Sequence, residues 1–310
     1  MRIWRDVTEV PVDVGRTVVT IGNFDGVHRG HQRVVRRARE VAREVGAARV
    51  VLVTFDPHPF AVLRPEHAPL TLSTVPARLA VLAEAGVDDA LVLRFSREIA
   101  GWSPEEFVDR VLVDALHAAA VVVGASFRFG HKAAGDVALL TREGDKKDFV
   151  VEGVDLDGGP QVWSSTYVRS CLVAGDVEGA AEALGRPFAV RGVVVEGDKR
   201  GRELGYPTAN VPVVGVAAPG DGVYAGWLWR LDTDETYAAA ISVGTNPTFE
   251  GERERRIEAY VLDRDDLDLY GVEVEVAFVA RLRGMVRFDD LASLVSQMDE
   301  DVARAAELLS

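Results

Sequence analysis

The stretch Val18-Val19-Thr20-Ile21-Gly22-Asn23-Phe24-Asp25-Gly26-Val27-His28-Arg29-Gly30-His31 decides how the first half of this 310-residue chain is read. Its first four residues are a short apolar β run. A long helical pattern follows, with Val34, Val35, Ala38, Val41, Ala42 and Val45 on one face and arginines opposite. Between the two stand Gly22, Gly26 and Gly30, which let backbone approach a ligand closely. The helix starting near Gly30 directs free N–H groups at whatever lies there. His28 and His31 are three apart, so at a helix start they share one side. Two imidazoles placed there can donate hydrogen bonds to phosphate oxygens as charge develops. No cysteine or carboxylate stands at a suitable spacing to complete a zinc site with them. Taken singly, each histidine is equally well explained as the cap of a solvated turn. Strand, glycines and paired histidines together favour phosphate handling.

Outward from this turn, strand candidates at 50–55, 90–95 and 120–123 alternate with helical patterns at 76–85 and 104–117. Such alternation predicts an α/β domain, a parallel sheet covered by helices on both faces, with ligands beyond the carboxyl ends of its strands. A helical pattern stops at Gly185-Arg186-Pro187, and the character of the chain changes there. Runs at 189–195, 223–231, 236–243, 257–262 and 272–279 are short, rich in Val, Tyr and Trp, and punctuated by Gly, Asn and Asp. Val272-Glu273-Val274-Glu275-Val276 alternates strictly, as a half-buried strand does. These runs predict a small antiparallel β-barrel, followed by an amphipathic helix over 289–309. The expected domains are 1–186 and 187–310.

Composition narrows the function further. Lys and Arg number 35 against 49 Asp and Glu, a net charge of −14, so the overall field does not attract a nucleic-acid backbone. Arg33, Arg36, Arg37, Arg39 and Arg43 form a local basic helix face, but Glu40 and Glu44 stand among them as partners. All six histidines lie in the first half, and Cys171 is the only cysteine. One cysteine excludes an intramolecular disulfide framework and a Cys-based zinc cluster. No run approaches a membrane span, and MRIWRDVTEV has no apolar signal region, so the expected location is cytoplasmic.

Gly22 to His31 resembles the HxGH motif of nucleotidyltransferases, and the variant GNFDGVHRGH resembles that of bacterial bifunctional riboflavin kinase/FAD synthetases (FMN adenylyltransferases). Thr54-Phe55-Asp56-Pro57-His58-Pro59 is similar to a second signature of that family. Gly124-Ala125-Ser126-Phe127-Arg128-Phe129-Gly130 resembles a third, and Trp163-Ser164-Ser165-Thr166-Tyr167-Val168-Arg169 its SSTxxR signature. The resemblance implies a Rossmann-like nucleotidyltransferase domain with His28 and His31 catalytic. Gly22, Asn23, Phe24, Gly30, Ser165, Thr166 and Arg169 would hold nucleotide, and His58 and Ser126 the flavin substrate. Ser165 can cap the helix that follows, and Asn23 and His58 are neutral donors. The plainer alternatives are an ordinary N-cap at the serines and a strand-ending turn fixed by Pro57 and Pro59.

The string from Gly192 to Asn210 places glycines at 192, 197, 201 and 205. It contains neither GxxxxGK[ST] nor GxGxxG, yet a glycine segment leaving a strand can cover phosphates with backbone N–H groups. Thr208 and Asn210 offer neutral oxygens suited to magnesium. The string resembles the riboflavin kinase motif ending PTAN, which implies nucleotide contacts at Gly197, Gly201, Gly205, Thr208 and Asn210, with Mg2+ at the last two. A mobile barrel loop ended by a proline turn is the alternative. Phosphoryl transfer to an alcohol needs a proton acceptor, and no histidine or cysteine follows residue 187. Glu258, Tyr260 and Leu262 share one strand face. An acid beside Tyr260 within a small barrel is expected to be less solvated than those at 250, 252 and 254. The resemblance implies that Glu258 is the base; pairing with Arg256 on the same side is the alternative. Gly244 to Phe249 looks like a family turn, and 281–288 is the flavin-side segment, where no contact is assigned.

The resemblance thus implies two activities, ATP-dependent phosphorylation of riboflavin to FMN and adenylylation of FMN by a second ATP with release of pyrophosphate. Its partners are riboflavin, FMN and ATP, with no nucleic acid and no membrane, and with room for a homo-oligomer. The alternative is a riboflavin kinase with a degenerate or differently directed nucleotidyltransferase domain, supported by Ser126 alone, where the family commonly has Asp or Asn. Serine reaches less far than either. FAD formation is expected to survive with serine in place, and Ser126→Asn to match or exceed the parent chain in FAD formed from FMN. A large fall in that variant would contradict the expectation.

Overall fold

The computed structural model describes residues 1–155, 163–197, 204–245, 255–264 and 266–310. Its contacts divide the chain into two compact units, Met1–Thr71 with Val75–Ser164, and Leu72–Thr74 with Ser165–Ser310.

In the first unit the strands are β1 (Arg2–Trp4), β2 (Thr17–Ile21), β3 (Arg49–Asp56), β4 (Asp89–Arg94), β5 (Ala118–Gly124), a two-residue pair β6 (Arg128–Phe129) and β7 (Gly135–Asp136), and β8 (Val150–Val154). Six of them form one parallel sheet in the order β1-β4-β3-β2-β5-β8. The helices are α1 (Arg29–Glu44), α2 (Pro59–Leu63), α3 (Val75–Glu84), α4 (Pro104–Phe107) and α5 (Val137–Lys147). The pattern at 104–117 is helical as expected, but after Phe107 it widens to a π-helix over Val108–Ala115.

Successive strand residues point to opposite faces, and here both faces are buried. Val18, Leu52, Val92 and Val122 pack with Val34, Val35, Ala38 and Val41 of α1 and with Leu79 and Leu82 of α3. Val19, Val53, Leu91 and Val121 pack on the other side with Phe107, Val111, Leu112 and Leu140. This is why the strands read as unbroken apolar runs. From β2 the chain builds β3 and β4 on one side and β5 on the other. The order therefore reverses between β2 and β5, and the segments leaving β2, β3 and β5 border the crevice where such sheets bind ligands.

The second unit begins with α6 (Ser165–Ala174) and α7 (Val177–Leu184). Strands β9 (Phe188–Val193), β10 (Thr208–Pro212), β11 (Gly222–Arg230), β12 (Thr236–Thr245), β13 (Arg255–Val261) and β14 (Glu273–Arg283) follow, then α8 (Leu291–Leu309). The strands pair antiparallel in the order β10-β13-β12-β11-β14-β9. Past β9, the Val195 N–H donates to the Asn210 carbonyl at 2.9 Å, bringing the two ends of the sheet together. Tyr224, Ile241, Val243, Ile257, Ala259, Val276 and Phe278 fill the interior, with the Tyr224 and Phe278 rings edge to face at 5.5 Å. The outer residues Ala225 and Ala240 pack under Val302, Ala305 and Leu309 of α8.

The exit of α6 is completed by the barrel. The Leu172 carbonyl accepts from Gly175 N–H at 2.9 Å and Gly220 N–H at 2.7 Å, and Arg281 Nη1 donates to the Ala174 carbonyl at 2.9 Å. A cation at a helix carboxyl end also opposes the negative pole there.

Gly226 sits beside a register shift between β11 and β14, and a Cβ on it would lie 2.0 Å from the Ala277 carbonyl oxygen. Gly226→Ala is expected to destabilise the chain by about 1–3 kcal/mol or more. Gly101, which has open space around it, is the control position. Thermal denaturation showing equal melting for both variants would contradict this.

Candidate active sites

The turn after β2 is strained and held from several sides. Phe24, Gly26 and Val27 have φ of 49°, 78° and 48°. A left-handed β-branched residue is unfavourable unless its surroundings impose it. Gly22 N–H donates to the Val53 carbonyl at 3.1 Å, and Gln32 Nε2 donates to the Val27 carbonyl at 2.9 Å. Arg78 of α3 donates from Nη1 to the Asn23 carbonyl at 2.8 Å, and its Nη2 lies 3.4 Å from Asp25 Oδ1. Sequence reading passed over Arg78, Asp25 and Gln32. The available signal was an arginine beside Leu79 in the pattern at 76–85, where Glu84 is the one other charged residue.

His28 caps α1, its Nδ1 accepting the His31 N–H at 3.4 Å. The two imidazoles stack with centroids 3.6 Å apart, and Phe24 lies 4.8 Å from His31. A Cβ at Gly30 would stand 3.0 Å from the His28 ring, so the glycine makes room for the imidazole. Burial lowers the His28 pKa to about 4. Burial also holds His31 well below its ordinary value, helped by His28 and by the positive charge of Arg78. Both rings are therefore neutral at pH 7. Because His28 Nδ1 accepts, its proton sits on Nε2, which is left as a donor. His31 Nδ1 is buried with no hydrogen-bond partner among the described residues, as expected of an atom that meets a ligand.

At the end of β3, His58 caps α2 by accepting the Phe60 N–H on Nδ1 at 3.2 Å, and its Nε2 lies 3.1 Å from the Asn23 amide nitrogen. The turns after β2 and β3 thus meet at this contact. Ser126 is exposed on the turn leaving β5. Ser165, Thr166 and Arg169 lie at the start of α6 in the second unit. The helix begins at Ser165 itself, so Ser164, rather than Ser165 as expected, stands at the N-cap position.

In the barrel, register assembles the second group. Glu258 pairs across β13 with Asn210 and Ser242, and Tyr260 pairs with Thr208 and Ala240. Thr208, Asn210, Ser242, Glu258 and Tyr260 therefore share one face. This corrects one expectation. The interior is taken by Ile257, Ala259 and Val261, and the alternation turns Glu258 and Tyr260 outward, toward α8. There Thr208, Ser242, Glu258 and Tyr260 line a cavity of about 280 Å³, with Val223, Met285, Phe288 and Met298 as apolar walls. Arg283 also lines it, chelating the buried Asp301 of α8 at 2.7–3.0 Å. The Tyr206 hydroxyl donates to Asp299 of α8, an anion that raises the phenol's pKa to about 12, and the Tyr206 ring meets Tyr260 edge on at 5.2 Å.

The Asn210 side chain is buried and donates to the Thr208 carbonyl at 3.2 Å. A Cβ at Gly197 would fall 2.5 Å from the Asn210 amide atoms, so glycine backbone lies directly on that amide. Gly205 has φ of 89°, a left-handed bend just before Tyr206 and Pro207. Gly201, and residues 246–249 of the family turn, lie outside the described residues. Hydroxyl, amide and carboxylate oxygens on one face form a donor set that fits a hard divalent cation such as Mg2+.

Comparison with known proteins follows the same two groups. Residues 11–166 match the FAD synthetase family and residues 184–309 the riboflavin kinase family. The bifunctional riboflavin kinase/FMN adenylyltransferase of Pseudomonas fluorescens is 40% identical over 301 residues, spanning 94% of this chain and 92% of the relative. The Escherichia coli K12 enzyme of that name is 37% identical over 292 residues, spanning 94% and 92%. A solved structure described as a macrolide-efflux protein from Streptococcus pneumoniae aligns with a TM-score of 0.86 at 32% identity, covering 96% of both chains. Among the described residues no helix is long and apolar enough to cross a membrane.

The neutral histidines make stability depend on pH. The unfolded chain binds protons at histidine below about pH 6.5, whereas folded His28 does so only near 4. Stability is full above 6.5 and falls as pH drops toward 4. The thermal midpoint is expected to fall across that window, and less steeply in His28→Gln. Parallel pH profiles for the two chains would contradict the buried neutral state.

Proposed function

The chain belongs to the bifunctional riboflavin kinase/FMN adenylyltransferase family, and on that premise we propose how its own residues divide the two transfers. The barrel half phosphorylates riboflavin with ATP, and the N-terminal half adenylylates the resulting FMN with a second ATP. The kinase-only alternative is not favoured, because each half matches its own family. The functional partition we adopt is 1–186 and 187–310, with both reactions in the cytoplasm, where ATP is available.

For the kinase, the carrying observation is the register that sets Thr208, Asn210 and Glu258 on one face. Glu258 accepts the proton of the terminal ribityl hydroxyl as its oxygen bonds to the γ-phosphorus and the bond to the ADP oxygen breaks. Thr208 and Asn210 would hold Mg2+, which when bound neutralises charge on the phosphates. Backbone at Gly197 and Gly205 covers the nucleotide. The flavin ring lies against the apolar walls of the cavity.

For adenylylation, a phosphate oxygen of FMN attacks the α-phosphorus and pyrophosphate leaves. FMN already carries negative charge, so the reaction needs charge stabilisation and alignment more than a base. Neutral His28 and His31 suit this role, since each donates without competing for a proton. Gly22, Asn23, Phe24 and Gly30 hold the nucleotide beside them, His58 and Ser126 face the flavin substrate, and the resemblance of 163–169 to the SSTxxR signature is what assigns Ser165, Thr166 and Arg169 to nucleotide.

His28→Ala is expected to lower FAD synthesis by about 100-fold or more while FMN synthesis continues. Glu258→Ala should abolish FMN synthesis yet leave FAD formation from supplied FMN. Product chromatography from riboflavin or FMN with ATP and Mg2+ checks both. Loss of both activities in either variant would contradict the separate sites.

A further inference from the structure

We infer that Arg78 is a positioning residue for adenylyl transfer, acting as a clamp on the two residues that flank the left-handed Phe24. The inference rests on the reading of the 22–31 turn as the adenylylation site. Arg78 is only 3% exposed and its partner Asp25 only 2%. A buried ion pair is often no more stable than the apolar residues that could replace it. Leu79 and Leu82, neighbours on the same helix, show that this face of α3 packs well with leucine. Stability alone therefore does not account for a guanidinium at this place.

The geometry supplies another reason. One arm of the fork, Nη1, holds the Asn23 carbonyl at 2.8 Å, and the other, Nη2, lies 3.4 Å from the Asp25 carboxylate. Phe24, with φ of 49°, stands between those two residues. Clamping both flanks fixes the bend, and the bend decides where three groups stand. The Asn23 amide meets His58 at 3.1 Å, the Phe24 ring meets His31 at 4.8 Å, and Val27, itself left-handed with φ of 48°, leads into His28. Two acceptors in two directions suit a planar fork and do not suit an ammonium. The guanidinium also stands near enough to His31 to disfavour its protonation, which keeps that ring a neutral donor.

The test uses the full chain, with FAD formation from FMN, ATP and Mg2+ measured beside FMN formation from riboflavin in the same preparations. Arg78→Met is expected to lower kcat for FAD formation about 100-fold, with little change in KM for FMN, while FMN formation stays within about twofold. Arg78→Lys should recover part of the loss, and Asp25→Asn should fall between Arg78→Lys and Arg78→Met. FAD formation in Arg78→Met within about threefold of the parent would overturn the inference. If Arg78→Met proves unstable, Arg78→Lys and Asp25→Asn decide: a loss confined to FAD formation supports the clamp, and equal change in both activities overturns it. His28→Ala runs alongside. FAD formation surviving His28→Ala would remove the site reading and the clamp with it, whereas survival in the Arg78 variants alone removes only the clamp.

Discussion

A short turn with three left-handed residues, one of them a valine, does not hold its shape unaided. Here it is imposed by what lies beneath it: a parallel sheet buried on both faces, a hydrogen bond from Gly22 to β3, and the Arg78–Asp25 pair. The placement of Asn23, His28 and His31 depends on that imposed bend, and Asn23 meets His58 from it. Rigid sheet and strained turn are complementary, since the crevice at the order reversal is where a bend can be gripped from neighbouring strands and still open to a ligand.

The two halves answer phosphate chemistry with different atoms, and solvation explains the difference. In the first, burial strips the histidines of charge and leaves ring N–H groups as donors, suited to a nucleophile that is already anionic. In the second, an alcohol must lose a proton, and a carboxylate on the outward face of the barrel stands beside hydroxyl and amide oxygens that suit a hard cation. Turning Glu258 away from the packed interior is physically sensible. Inside, among Ile257, Ala259 and Phe278, an ionised carboxylate would have no compensating partner. On the outer face it lines the cavity beside α8.

Much of the fold was legible because burial writes itself into local periodicity. The runs that became β2, β3, β4 and β5 and the apolar face of α1 were read at nearly their observed bounds. β1 has three residues and β10 is interrupted by Asn210 and Pro212, so neither carries a period long enough to see. The widening of the helix after Phe107 left no local mark either, because Val108, Val111 and Leu112 keep the i, i+3, i+4 spacing that suggests an ordinary helix.

The sequence by itself determined the residue types: paired histidines after a strand, a glycine string ending in Thr208 and Asn210, and a second half that holds neither histidine nor cysteine. Tertiary structure alone decided which of them meet. Arg78 reaches Asn23 and Asp25 across more than fifty residues, Asn23 reaches His58 across thirty-five, and Glu258 gains Asn210 and Ser242 through strand register. Periodicity is a property of neighbours along the chain, whereas register, crossover order and the direction in which a buried charge is paired are set by packing between segments that share no local signal.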